Sequence, residues 1–409
     1  MTKRQSRLLI FMCWALYVSA YLGRYSYKSN ILPISNFYKV SDTEIGLVSS
    51  FFFFAYGAGQ IINGILCRYY NLKYMLPLSV IVSSAINLLL FSGILSFQYF
   101  KFMWLLNGVS QSVLWSSLML TLSRNLDEKY IKKAIIAMST TASIGTFFAY
   151  GLSAGFALFD GFKLSFLVAA VIMTIAGVAW LILYDKITVK ENAVAAATQE
   201  SGELPVKQKT DKSVIKILII FGIFAVVVNF IKDGLTDWVP KILSDTYALS
   251  DSLSIVLTLV LPILTIFGTT LVVFLNKKIK DYTALMSILF VFASIFIAVV
   301  LVLLSTPLWL IILLIFGIIS LLMSGSNNVV TSILPLSLRD KANSGFVAGI
   351  LNGCCYLGST LSSVGLGALS DYFGEWQPIF YFLLGASVFV VVVSVGILVG
   401  KKIKSKTTV

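Results

Sequence analysis

The chain has 409 residues, 58% hydrophobic and 12% charged, with a mean hydropathy of +0.92. That composition belongs to an integral membrane protein and excludes a soluble globular core. Histidine is absent, which removes the side chain that titrates nearest neutral pH and the commonest metal ligand.

Apolar runs separated by short polar breaks predict twelve membrane-crossing helices. They lie near residues 8–33, 44–67, 74–96, 99–122, 134–158 and 163–184, then 214–240, 249–275, 283–304, 308–333, 343–369 and 376–400. The first run is too long for a cleavable signal peptide and carries two cations, Arg24 and Lys28. They are one helical turn apart and share a face. Arg24 sits close to the middle of its run, where a charge costs a few kcal/mol and must face a polar cavity or partner. Lys28 has an alternative, since its long stem can snorkel to the interface.

Further along, Tyr25, Tyr56, Gln60 and Gln111 in the first half, and Asn229 and Asn352 in the second, fall at helical depth. Each is a candidate cavity-lining group, with helix–helix hydrogen bonding as the alternative. The run Phe51–Phe54 reads as lipid-facing or core, and Trp115 and Tyr356 read as packing. Gly145, Gly151 and Gly155 in the fifth span, and Gly345, Gly349 and Gly353 in the eleventh, predict close helix contacts. Cys13, Cys67, Cys354 and Cys355 have no metal-ligand spacing and read as packing, so neither a metal nor a cofactor is expected.

The longest polar segment divides the chain into a six-helix bundle at 1–186, a cytoplasmic linker at 187–212 and a second bundle at 213–409. An internal repeat supports the division. Arg24 precedes Pro33 by nine residues in the first span, and Lys232 precedes Pro240 by eight in the seventh. A cation at matching depth in the first helix of each half is the pattern of a substrate held at the repeat interface.

Basic residues crowd one set of ends and loops. These are Lys3, Arg4 and Arg7; Arg68 and Lys73; Arg124, Lys129, Lys132 and Lys133; Lys186 to Lys216 around the linker; Lys277, Lys278 and Lys280; Arg339 and Lys341; and Lys401 to Lys406. The alternate set holds only Lys39, Lys101, Lys163 and Lys241. By the positive-inside rule both termini are cytoplasmic, and the expected location is the cell membrane. The net charge of +13 is then a topology signal, and nucleic acid is not a partner.

Several motifs resemble one family. The architecture looks like the major facilitator superfamily, and Tyr21-Leu22-Gly23-Arg24 resembles the first-helix motif of its organophosphate:phosphate antiporters, of the glycerol-3-phosphate and hexose-phosphate type. Ala55 to Gly64 resembles their second helix, and Gly108-Val109-Ser110-Gln111 with Trp115 their fourth. Gly234-Leu235-Thr236-Asp237-Trp238-Val239-Pro240 resembles the seventh. Ser344-Gly345 to Ala348-Gly349 and Tyr356-Leu357-Gly358-Ser359 resemble the eleventh. The resemblance implies two phosphate-binding cations, Arg24 and Lys232, and transport without a cofactor. The departures are that the family's second Arg is Lys232, its second-helix Lys is Gln60, its fifth-helix His is missing near Ala142 and Ser143, and Cys67 stands before Arg68 where an acid is usual. A Lys grips phosphate as a point charge, without the bidentate fork of Arg.

A divalent organophosphate needs about two compensating cations. Arg24 and Lys232 supply them, with Lys28 as a possible third. The competing reading pairs each cation with a protein carboxylate. By helical periodicity, however, Asp233 points elsewhere than Lys232, and Asp237 lies off its face. No nucleotide-binding loop and no catalytic constellation is present, so the chain does not read as an enzyme. The expected activity is exchange of an organophosphate for inorganic phosphate by a monomer embedded in lipid, since acids buried deep in apolar runs are scarce. The alternatives are proton symport of an organic anion such as a sugar acid, with Asp237 as carrier, and a transporter-like metabolite sensor.

Overall fold

The computed structural model describes residues 2–159, 161–188, 212–338, 342 and 344–407. The expected linker therefore lies almost wholly outside the described residues. Every regular element among the described residues is helical. In order they are α1 (Lys3–Lys28), α2 (Ile31–Tyr38), α3 (Asp42–Leu66), α4 (Leu72–Ser92), α5 (Phe100–Ser112), α6 (Leu114–Asn125), α7 (Glu128–Ala157) and α8 (Leu164–Ile187). There follow α9 (Lys212–Tyr247), α10 (Asp251–Thr258), α11 (Val260–Lys278), α12 (Tyr282–Leu303) and α13 (Trp309–Asn328), with a π-helical stretch at Val329–Ile333. The last are α14 (Leu334–Ser337), α15 (Ser344–Phe373) and α16 (Gln377–Thr407).

The helices begin where short polar residues can satisfy the first backbone N–H groups. Thr2 and Gln5 cap α1 reciprocally, Asn71 caps α4, Ser250 caps α10 and Asp281 caps α12. Gly93 ends α4 at a positive φ of 68°. Between their ends the helices are apolar on most sides, and large apolar residues such as Phe54, Ile175 and Val392 face outward. Such a surface suits lipid, where a helix must satisfy its backbone internally.

Eleven helical stretches among the described residues are long and apolar enough to cross a membrane. The predicted span at 99–122 is instead the pair α5 and α6. The hydroxyl of Ser112 donates to the Val109 carbonyl at the break, 2.7 Å, and so competes with the helical ladder there. Val113 keeps right-handed helical angles, φ −71° and ψ −29°.

Two compact units emerge, one of Met1–Asn30 with Phe51–Thr210 and the other of Ile31–Ser50 with Asp211–Val409. In the first, α1 packs on α7 and α8, and α4 packs on α8. In the second, α9 packs on α15 and α13, α11 on α13, and α12 on α16. In the first unit α1 thus meets α7, as α9 meets α15 in the second.

Residues 31–50 join the second unit for identifiable reasons. Asp371 accepts hydrogen bonds from the Asp42 and Thr43 backbone N–H groups, 3.0 and 2.7 Å, and from the Thr43 hydroxyl. It therefore caps the positive end of α3 from α15. Asp42 faces Lys241 at 3.3 Å and accepts from Ser370 at 2.9 Å. A Cβ at Gly46 would overlap the Ser363 carbonyl, so α3 and α15 touch backbone to backbone there.

Candidate functional site

In the first unit Arg24 is buried near the end of α1. Its Nε donates to Gln111 Oε1 on α5 at 3.2 Å. Its guanidinium carbon lies 4.2 Å from the ring centre of Tyr56, 4.6 Å from Tyr21 and 5.0 Å from Phe52. Cation–π contacts of this kind are worth about 0.5–2 kcal/mol each, rising with desolvation, which offsets part of the cost of burying the charge. Gln111 is fixed in turn by Ser83 at 2.8 Å and Asn107 at 3.2 Å. Ser83 donates to Asn107 at 2.6 Å, and the Tyr17 and Tyr56 hydroxyls meet at 3.2 Å. The network orients one carbonyl oxygen at Arg24 and holds the rings around it.

Lys28 is 2% exposed, with its ammonium 3.9 Å from the ring centre of Phe53 and 5.2 Å from that of Tyr25. It does not reach the surface, because these rings shelter it one turn from Arg24. Gln60 is buried on α3 four residues after Tyr56.

In the second unit Lys232 Nζ donates to Asn229 Oδ1 at 3.0 Å, and Asn229 Nδ2 donates to Asn327 Oδ1 at 3.0 Å. Cys355 Sγ lies 3.3 Å from the same Asn327 oxygen. Asn327 is the penultimate residue of α13, just before the π-helical stretch, an arrangement found often at functional sites. Lys232 also forms an ion pair with Asp233 at 3.3 Å. The expectation that Asp233 points away is therefore corrected. Successive helix positions diverge by about 100°, but the four-carbon stem of Lys232 lets its ammonium come back to the neighbouring carboxylate. Asp233 is anchored from the other side by the Ser359 hydroxyl, which donates to Oδ2 at 2.5 Å. Asp237, one turn on, accepts from Ser363 at 2.8 Å. Asn352 is half-buried on α15, with Cys355 and Ser359 three and seven residues on, along one helix face.

The structure thus gathers Arg24, Tyr56 and Gln111 into one cluster, with Lys28 and Tyr25 beside it. It gathers Lys232 and Asn229 into a second. Sequence reasoning missed Phe52 and Phe53, read as lipid or core, because nothing in a run of four phenylalanines says which two face a cation. It also missed Asn327, for which the polar run Ser324-Gly325-Ser326-Asn327-Asn328 in an apolar span was the available signal. The predicted glycine contacts are corrected in part. A Cβ at Gly145 would strike Tyr21, but those at Gly151, Gly155 and Gly349 would meet nothing within 4 Å. Helical spacing of small residues does not specify a partner, and these three face open space. Close backbone approaches occur instead at Gly108 against Phe52 and at Gly358 against Val226.

The chain matches the family model of the Major Facilitator Superfamily over residues 13–363. Among curated proteins it is 28% identical over 111 residues to the membrane sensor protein UhpC of Escherichia coli (strain K12), covering 27% of this chain and 25% of that one. The chain therefore spans only a quarter of the length of that relative. Among solved structures it resembles a bacterial homolog of the human lysosomal transporter Spinster, with a TM-score of 0.75 at 16% identity over 98% of each chain. It also resembles the nucleoside transporter NupG, TM-score 0.70 at 13% identity over 96% of this chain and 99% of that one. The D-xylose-proton symporter gives 0.69 at 13% identity over 96% and 97%.

Proposed function

The chain belongs to the major facilitator superfamily, and from that premise we propose that it is a secondary transporter of a small organic anion, exchanging an organophosphate for inorganic phosphate by alternating access. It sits in the cell membrane with both termini cytoplasmic, works as a monomer and needs no cofactor. The observation that carries this reading is Arg24, a buried cation at helical depth whose Nε is held by a fixed carboxamide and whose plane is framed by Tyr21, Phe52 and Tyr56. A guanidinium so oriented can offer its terminal N–H groups to an anion in pairs. Lys232, with Asn229, supplies the second cation.

Proton symport of an organic anion such as a sugar acid is the second reading. The buried carboxylate of Asp237, held by the Ser363 hydroxyl at 2.8 Å, favours it as the group that would carry the proton. Counterflow in proteoliposomes decides. Vesicles loaded with phosphate and offered labelled glycerol 3-phosphate should exchange under the first reading. Absence of exchange, with uptake of a sugar acid driven by a pH gradient, would overturn it.

A further inference from the structure

Asp233 is not needed for an anion site, and its position next to a substrate cation works against one. It lies 3.3 Å from the Lys232 ammonium and is itself buried, with the Ser359 hydroxyl on its second oxygen at 2.5 Å. Two helices packed on α9 add little charge here. α13 carries no charged residue, and α15 carries only Asp371, which is committed to the α3 N-terminus. Asn229 and Asn327 beside the pair are neutral, and the other carboxylate of α9 near it, Asp237 one turn on, is held by Ser363.

From this we infer that Asp233 is a resident counter-anion that competes with the substrate for Lys232, so that the second unit offers the substrate a near-neutral pair and the protein discriminates against doubly charged anions. The inference rests on the proposed anion-transport reading and narrows it. A phosphate ester is accepted best at Lys232 with one proton aboard, on its own oxygen or on Asp233. Ser359 makes the competition adjustable. It gives the carboxylate a partner to keep when the ammonium turns to the substrate, so Asp233 is not stranded.

The test is ligand selectivity of the purified full chain, measured by isothermal titration at pH 7.5 with two probes of similar size, glycerol 3-phosphate and glycerate. Asp233→Asn keeps the shape and the Ser359 contact but removes the competing charge. It should tighten glycerol 3-phosphate by about tenfold or more and glycerate distinctly less, because repulsion from a nearby charge scales with ligand charge. Asp233→Glu, which restores the charge, should keep the wild-type ratio. Equal shifts for both probes, or none, while Arg24→Ala still abolishes binding, would overturn the role of Asp233 and leave the anion site standing. Binding of neither probe by any variant would overturn the anion-site reading and this inference together.

Discussion

Arg24 and Lys232 are both cations in membrane helices, yet their surroundings differ in kind. Arg24 is balanced by rings and a carboxamide, and Lys232 by a full carboxylate. Arg24→Ala should therefore cut anion exchange by about a hundredfold, equivalent to roughly 3 kcal/mol for a lost charge-assisted contact. Expression and membrane insertion should be unchanged, and normal exchange by this variant would sink the proposed site. Lys232→Arg should retain exchange and should tighten phosphate-bearing substrates if its fork can leave Asp233. Initial counterflow rates over a substrate series measure both. The residue types at these positions were legible in the sequence. Their partners were not, because Gln111 and Phe52 are far from Arg24 along the chain and Asp233 is too near for periodicity to predict a contact.

Among the elements, α3 and α5 meet where Gly108 passes the Phe52 carbonyl, and a Cβ would overlap that oxygen. Gly108→Ala should force the two helices apart and destabilise by about 1–3 kcal/mol. A detergent thermal-unfolding midpoint that does not fall would show that the helices give way freely. Because Phe52 also frames Arg24, the same change should weaken anion binding. At the α12 N-terminus, Asp281 accepts from the Thr283 and Ala284 N–H groups at 2.8 and 3.3 Å and from Lys401 at 2.6 Å. Burial pushes its carboxyl upward, but the Lys401 ammonium and these N–H groups outweigh that and hold it below the ordinary value. Its folded pKa being depressed, the cap stabilises fully above the unfolded value and is lost as pH falls through the folded one. Asp281→Ala should cost about 1 kcal/mol near neutrality. The gap between variant and wild-type unfolding midpoints should narrow as pH is lowered through and below the ordinary carboxylate range; a gap that persists undiminished in strong acid would contradict the ionised cap.

At the scale of the whole molecule, exchange and symport part on one experiment. Vesicles with no internal counter-anion and an imposed pH gradient should not accumulate substrate if the protein exchanges anions, and strong accumulation would defeat that reading. Asp237 accepts from Ser363 on the neighbouring α15 and is buried. Asp237→Asn should leave counterflow largely intact, since exchange sends no proton through it. Loss of gradient-driven uptake with counterflow spared would instead mark Asp237 as the carrier. The second unit also takes in Ile31–Ser50, through Asp371 on the α3 N-terminus and Asp42 on Lys241. Nothing in the apolar pattern marks that allegiance, since it rests on a few polar contacts hundreds of residues apart.

By itself the sequence determined the class of molecule and the placement of its helices, because hydrocarbon forces each apolar run to satisfy its own backbone. It also singled out Arg24, Lys28 and Lys232 as candidates, since a charge in such a run is costly. What only the tertiary structure decided is how each charge is met. Rings from a phenylalanine run close over Arg24 and Lys28, a serine from α15 steadies Asp233, and an asparagine at a π-helical break completes the Lys232 cluster. Those choices depend on which helix faces lie against one another. Period and composition leave that open, because in a membrane the packed face and the lipid face of a helix are almost equally apolar.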